Sequence, residues 1–359
     1  MKKLDWYIIR KFLGTFFFML ALIMAIAVVF DVSEKLEKFA KSEASTLQII
    51  VEYYINFVFY FSNLFSSLFV FLSVLLFTSQ MAQRTEIIAI LASGISFRRL
   101  MRPYLIAATV LVAISMYFTH YQLSISNKAR IDFENRYLKR QFSIEERNLL
   151  RQIEPGTIAY FQSFSVENNV GYKFSIEKWD EQGHLRYKLM SERARYDSLS
   201  GMWQIDAPFQ RWITDSSEQI KRARRLDTLI NLKPADLGTR LNIASTMGYR
   251  ELTDFIAFEK MKGSDKTTFF EIDLHQRTAF PFASYVLTII AVSIASRKVR
   301  GGIGIHLALG VLIALVYIFA MKVSTVAATN AGLDPLIAVW LPNVFFAGIA
   351  AWLYSRAQK

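Results

Sequence analysis

Four histidines are the first candidates for acid–base or metal chemistry: His120, His184, His275 and His306. None stands in HExxH spacing or in a recognisable triad, so neither metal-assisted hydrolysis nor nucleophilic acyl transfer is written here. The chain has no cysteine, which excludes disulfides, thiol catalysis and cysteine-held metals. No GxxxxGK[ST] occurs. The glycine-rich stretch 301–304 has no following lysine and reads as a tight turn, so the phosphate cradle of a nucleotide hydrolase is missing. No catalytic residue, metal or cofactor is expected. If this chain does work, its nucleotide chemistry sits on another one.

Binding chemistry is better represented. Residues 83–100 read QRTEIIAILASGISFRRL, too short and charged to cross a bilayer and too apolar for an ordinary loop. Ile87, Ile90 and Leu91 fall at i, i+3 and i+4, with Ile88 beside them, which makes one apolar helical face. Glu86 suits the helix start, and Gly94 stands where helices commonly stop. Such a helix, at about 84–94, either rests on lipid or docks into a groove on a soluble partner, with Glu86 pairing there. Lys35, Lys38 and Lys41 are spaced at i, i+3 and i+6, with Glu34 and Glu37 interleaved. They form either a solvated ion-paired face or a row that meets lipid phosphates. KRARR at 221–225 would place Lys221 and Arg225 on one face of a strand and Arg222 and Arg224 on the other, guarding a sheet edge.

These residues need elements to hold them, and six uncharged apolar runs supply most: 12–30, 53–78, 103–122, 278–296, 301–321 and 335–355. Each is roughly 19 residues or longer, enough to cross a hydrocarbon core of about 30 Å as a helix. Helix is the form that satisfies the backbone of such a run in lipid. The first run follows a charged, aromatic start without a small-residue cleavage site and is expected to be retained. His120 and His306 lie inside apolar runs. An intramembrane imidazole is a functional candidate, although hydrogen bonding alone accounts for many. No carboxylate stands mid-span, which argues against a proton-coupled carrier.

Charge orients the chain. Lys2, Lys3, Arg10, Lys11, Arg84, Arg98, Arg99, Arg102, Arg297, Lys298, Arg300, Arg356 and Lys359 fall on one side, against Asp5 and Glu86. The opposite short loops mix Lys35, Lys38, Lys41 and Lys322 with Asp31, Glu34, Glu37, Glu43, Glu52 and Asp334. The positive-inside bias puts both ends in the cytoplasm. The net charge of +12 is then topology and headgroup attraction; no concentrated basic face of the nucleic-acid kind is found.

The plan is a first transmembrane half at 1–122, a block at 123–270 lying outside, and a second half at 271–359. Within the block, 127–144 is charged and helix-like. From Arg147 the period becomes two. Tyr172, Phe174 and Ile176 alternate with polar residues, as do Leu185, Tyr187 and Leu189, and then Trp203 and Ile205. That pattern predicts six or so antiparallel strands in a sandwich, jelly roll or open barrel. Their inward side chains form either a packed core or a greasy groove for acyl chains. Residues 250–262 predict an amphipathic helix, with Leu252, Phe255, Ile256 and Met261 on one side, that returns the chain to the membrane.

Taken together, LDWYIIRKFLGTF at the start, QRTEIIAILASGIS, EIDLHQRTAFPFASYVLTIIAVSIA with the following RKVRGG, and WLPN in the last run resemble the lipopolysaccharide export permease family, nearly the whole chain in order. The start and loop lean to its G-type member. The resemblance implies a polytopic α-helical membrane protein of the bacterial inner membrane, with six transmembrane helices and a periplasmic β-jelly roll. It implies a heterodimer with a second homologous permease, bound to a dimeric cytoplasmic ATPase. That complex takes lipopolysaccharide from the outer leaflet to a periplasmic bridge protein. Glu86, Ile87, Ile90, Leu91 and Gly94 would dock the ATPase, and the first and fifth spans would line a lateral gate. Tyr172, Phe174, Ile176, Leu185, Tyr187, Leu189 and Trp203 would line the acyl conduit. Some members carry a basic residue for substrate phosphates at the outer end of the first span. Here VVFDVSEKL places Asp31 and Glu34 ahead of Lys35, so Lys35, Lys38 and Lys41 stand in as substitutes. Two rival classes are an intramembrane enzyme acting on a lipid or glycan, and a signalling or scaffold protein with an outer sensor domain.

Overall fold

The computed structural model describes residues 3–138, 145–165, 168–198, 200–237, 241–261, 263–264, 266–299 and 302–357. The end of the stretch expected to be helical, 139–144, lies outside the described residues, as do Lys2, Arg300, Gly301 and Lys359. The chain divides into two compact units.

The first unit is helical, and six of its helices are long and apolar enough to cross a membrane. Helix α1 runs Lys3–Lys41 without a break, carrying the first apolar run between charged ends, with Asp5 in its first turn and Lys38 and Lys41 in its last. Its length, about 58 Å, exceeds a bilayer core, so the three lysines extend the first span as helix. Helix α2, Thr46–Gln48, starts from a reciprocal cap between Ser45 and Gln48 and leads through a wide turn at Ile49–Tyr54 into α3, Ile55–Leu64.

The second apolar run is broken. At Phe65 the backbone leaves helical geometry (φ −100°, ψ 8°), and α4 resumes at Ser66–Gln83. Polar side chains surround the break. Ser115 donates to Asn63 at 2.9 Å, Asn63 donates to Thr119 at 2.7 Å, and the Ser66 and Ser115 hydroxyls lie 3.2 Å apart. Side-chain hydrogen bonds of this kind are a recognised cause of kinks.

A short helix α5, Glu86–Ala92, precedes α6, Phe97–Tyr117, which Ser96 caps. Beyond α6 the chain stays helical through α7, Leu123–Phe133, to Leu138. Helix α10, Thr267–Ala295, α11, Gly302–Ala331, and α12, Pro335–Arg356, complete the unit. Asp334 caps α12 by accepting from Leu336 and Ile337, with Pro335 in its first turn. The buried side of α4 packs with α1, α6 and α10 in one apolar core holding Phe12, Phe71, Phe77, Tyr104 and Leu287.

The second unit is built on one antiparallel sheet of eight strands: β1 (Glu145–Glu154), β2 (Thr157–Ser165), β3 (Val170–Trp179), β4 (Leu185–Asp197), β5 (Met202–Asp206), β6 (Phe209–Ile213), β7 (Glu218–Arg222) and β8 (Arg225–Thr228). Neighbours in sequence pair from β1 to β5. Then β4 splits its free edge: residues 193–197 pair β5, residues 187–190 pair β6. β5 continues to β8, and β6 to β7. The buried face gathers Phe161, Phe164, Phe174 and Trp203, with Leu232 and Leu237 against them; Leu237 ends the short helix α8, Pro234–Leu237. Gly156 makes the β1–β2 turn at φ +75°, where a Cβ would stand 2.6 Å from the Trp179 carbonyl oxygen.

Helix α9 spans Tyr249–Met261 and buries Leu252 and Ile256. Met261 does not join them and is exposed. It lies nine residues after Leu252, which is half a turn round the helix.

Candidate functional site

The arginine-rich end of the helical unit is built around α5. Ile87 is fully buried in the main core, and Ile90 and Leu91 pack partly against it. The apolar stripe visible in the sequence therefore fastens the helix to its own chain. What α5 offers outward is Ile88, 46% exposed, with Ala89, Ala92, Ser93 and Gly94. Sequence reasoning set Ile88 beside the stripe and missed it as the presented residue. The signal was there, because with Ile87 buried a residue 100° further round points away.

Both ends of α5 are sharp. Thr85 precedes it at φ +60°, a strained conformation for a β-branched residue. Gly94 follows at φ +84°, with its N–H donating to Leu91 O at 3.1 Å. Glu86 is tied to α1: Tyr7 donates to its Oε2 at 2.8 Å, and Lys11 Nζ stands 3.4 Å from the same oxygen. Deeper, Asp5 is nearly buried and receives both arms of Arg99 at 2.6 and 2.7 Å. That bidentate pair fixes the start of α1 to the start of α6. Arg84, Arg98 and Arg102 are left exposed around α5.

The lysine row at the C-terminal end of α1 is divided by the fold. Lys35 is enclosed: it donates to Asp31 at 2.7 Å and to the Tyr53 hydroxyl, and lies 3.4 Å from Glu134. Arg130 approaches Glu134 at 2.8 Å and lies over the Tyr60 ring, so two cations face two carboxylates in a balanced cluster. Lys41 pairs with Glu37 at 2.5 Å on an exposed surface. Lys38 is exposed, and among the described residues it has no ion-pair partner. Lys322, exposed on α11, stands twenty residues from Gly302, which is about 30 Å along the helix. The sequence reading counted it only as loop charge.

In the β unit the seven proposed conduit residues separate. Phe174 and Trp203 are sealed in the aromatic core, with Trp203 Nε1 donating to Leu232 O at 2.8 Å. Ile176 and Leu189 belong to the same buried core but also border, with Tyr187, Trp212 and Leu226, an open cleft of about 520 Å³ that Glu154, Lys178 and Arg186 help line. The Tyr187 and Trp212 rings lie 5.3 Å apart, and burial raises the Tyr187 phenol above its ordinary range. Leu185 is half-buried outside the cleft lining, and Tyr172 is exposed although it shares strand parity with Phe174. Between them Lys173 takes φ +47°, which spoils the strict alternation. KRARR falls on β7, the following turn and the start of β8; both strands are sheet edges, with the four basic side chains exposed.

Two motif residues act as fasteners. Arg277 is buried on α10 and donates to Ala244 O at 2.7 Å and Met247 O at 2.9 Å. Asn343 of α12 donates to Ala279 O at 3.0 Å and accepts from Tyr317 of α11 at 2.8 Å. Among the described residues no group of His, Asp and Glu is placed to hold a metal ion.

The packing of the spans is uneven. Over their most apolar stretches, α4 and α10 bury 67% and 61% of their residues, whereas α1 and α11 bury 17% and 22%. An apolar groove of about 250 Å³ runs between α1, α3 and α6, lined by Phe16, Phe17, Leu20, Val58 and Phe59.

No curated protein matches this chain. A family model does: that of the lipopolysaccharide export system permease LptF/LptG, which aligns over residues 6–356. A match of that length takes in both units, so the chain belongs to the LptF/LptG family, a membrane transport subunit of the lipopolysaccharide export system rather than an enzyme.

Proposed function

We propose that this chain is one moving wall of an ATP-driven extractor, with a second permease as the other wall and a dimeric ATPase beneath. It takes lipopolysaccharide from the outer leaflet of the inner membrane and passes it to a periplasmic bridge protein. The observation that carries the reading is the mounting of α5. One face is locked into the core through Ile87, one end is tied to α1 through Glu86, and the other face stands open with Ile88 amid exposed arginines. A lever needs both a rigid attachment and a free grip, and displacement of α5 would be passed to α1 and α6. The exposed arginines support a cytoplasmic location for this face, and with it a periplasmic one for the β unit.

Two further features support the reading. α1 and α11 are the spans with the most unpacked surface, which fits helices that meet a second permease and the cargo. The cleft bordered by Ile176, Tyr187 and Leu189 offers an apolar and aromatic wall beside Glu154, Lys178 and Arg186, and each acyl CH₂ that wall keeps from water is worth about 0.8 kcal/mol. For phosphates, Lys38 and Lys322 are exposed cations without an ion-pair partner among the described residues, whereas Lys35 is committed to Asp31 and Glu134.

Ile88→Asp tests the grip. The expected result is at least a tenfold loss of ATPase co-purifying from gently solubilised membranes, with the chain still inserted and still bound to the second permease. Undiminished ATPase recovery would remove α5 from the docking role. Glu86→Arg is a less clean probe, because it also meets Lys11 of α1.

A further inference from the structure

A cavity of about 1130 Å³ in the helical unit belongs to neither the α5 face nor the α1–α11 surface. It opens where α6 passes into α7, against the start of α9 and Thr278 of α10. Its depth in a bilayer follows from counting. Arg102 is the last cation on α6 at the inner side, and Tyr121 comes nineteen residues later, about 29 Å along the helix. The cavity therefore begins just inside the outer hydrocarbon boundary and rises into the headgroup layer.

Its chemistry changes with height. The lower wall is Met116, Tyr117 and Tyr121, with both tyrosines well exposed and their rings 5.6 Å apart. Tyrosines at this level form an interfacial belt. The His120 and Tyr249 rings follow, 5.3 Å apart. The upper wall carries Lys128 and Asp132 from α7, and Arg250 and Glu251 from α9. All four are exposed, and among the described residues neither Lys128 nor Arg250 has an ion-pair partner. Two uncommitted cations thus share one cavity with two carboxylates, above an apolar and aromatic floor.

We propose that this groove seats a zwitterionic glycerophospholipid of the phosphatidylethanolamine type. The phosphate lies with Lys128 and Arg250, and the ammonium with Asp132, Glu251 and the tyrosine faces, which attract cations. The acyl chains descend past Met116 and Thr278. The charge balance selects against the cargo, because a multiply phosphorylated glycolipid would set extra anions against Asp132 and Glu251. The volume exceeds the roughly 300–1,000 Å³ that holds a drug-sized ligand, which leaves room for the glycerol and first methylenes. A lipid so held pins α6, α7 and α9 to the level of the outer headgroups. The proposal rests on the outward orientation of this end of the helical unit.

The test uses the assembled complex in nanodiscs of phosphatidylglycerol doped with phosphatidylethanolamine that carries a diazirine in one acyl chain. Photolysis should label peptides within 116–132 and 246–251. Unlabelled phosphatidylethanolamine should compete, while extra phosphatidylglycerol or lipopolysaccharide at equal mole fraction should not. Lys128→Glu with Arg250→Glu should cut the labelling at least fivefold, and the milder Lys128→Gln with Arg250→Gln guards against a folding defect by giving an intermediate loss. Labelling unchanged in both pairs, or displaced equally by phosphatidylglycerol or lipopolysaccharide, overturns the lipid seat. The chain has no native cysteine, so Ile125→Cys reports sidedness by itself. Reaction with an impermeant maleimide only from the cytoplasm overturns the orientation, and the seat with it. Reaction from outside without lipid labelling overturns the seat alone.

Discussion

Lys35, Lys38 and Lys41 stand three residues apart on one helix and end in three different states, because each meets different neighbours. Lys35 is drawn in by Asp31 on its own helix and by Tyr53 and Glu134 from distant parts of the chain. A lysine so enclosed balances mostly buried carboxylates and is not free for a ligand, since removing it would leave Asp31 without its cation while Glu134 kept Arg130. Asp180 shows the same dependence in the β unit. At the β3–β4 turn the backbone N–H of His184 donates to its carboxylate at 2.8 Å, and Arg186 and the Gln182 N–H add to this. Together they hold the group down at about 2. Its unfolded value is about 3.9, so the stabilisation is complete above that pH and is lost as pH falls towards 2. Urea midpoints of the full chain in detergent at pH 5.5 and pH 2.5 should show a smaller acid-induced drop for Asp180→Asn than for the native residue. Equal drops would mean that the turn carries no such linkage.

At the scale of elements, burial decides which face of a helix or strand is available. The α5 stripe was legible as periodicity, yet its apolar side serves as an anchor and its grip is Ile88. The β strands were legible as alternation, but a packed core and an open cleft read alike from one strand. Trp203 belongs to the core, with Phe161 at 5.5 Å and Tyr196 at 5.4 Å. Trp203→Ala should destabilise the β unit by about 3–5 kcal/mol. Hydrogen exchange on the full chain should show protection lost across β2–β5 and retained in α4 and α10. Protection unchanged across those strands would mean that the indole is not a keystone of the sheet.

At the scale of the molecule, the contrast between well-packed α4 and α10 and sparsely packed α1 and α11 points to where other chains and lipid must sit. Phe319 is among the most exposed side chains of α11, whereas Phe71 of α4 is fully buried. A benzophenone side chain at Phe319 is expected to capture the second permease on illumination of membranes, and one at Phe71 only its own chain. Capture of lipid alone from Phe319, in assembled complexes, would move the partner surface away from the fifth span.

Six apolar runs, the basic side of the chain and a block of period two are all local properties, so the amino-acid sequence by itself determined a six-span membrane protein with an inserted β domain. The physical reason is that a bilayer constrains each segment separately, through its length and its unsatisfied backbone. Pairing is not local. Asp5 meets Arg99, Lys35 meets Glu134, Arg277 caps the Ala244 and Met247 carbonyls, and Asn343 bridges α12 to α10 and α11 only because distant segments converge. Which cations stay open, which aromatics line the cleft and which side of α5 faces out were therefore decided by the tertiary structure, since exposure belongs to a residue's neighbours and not to its type.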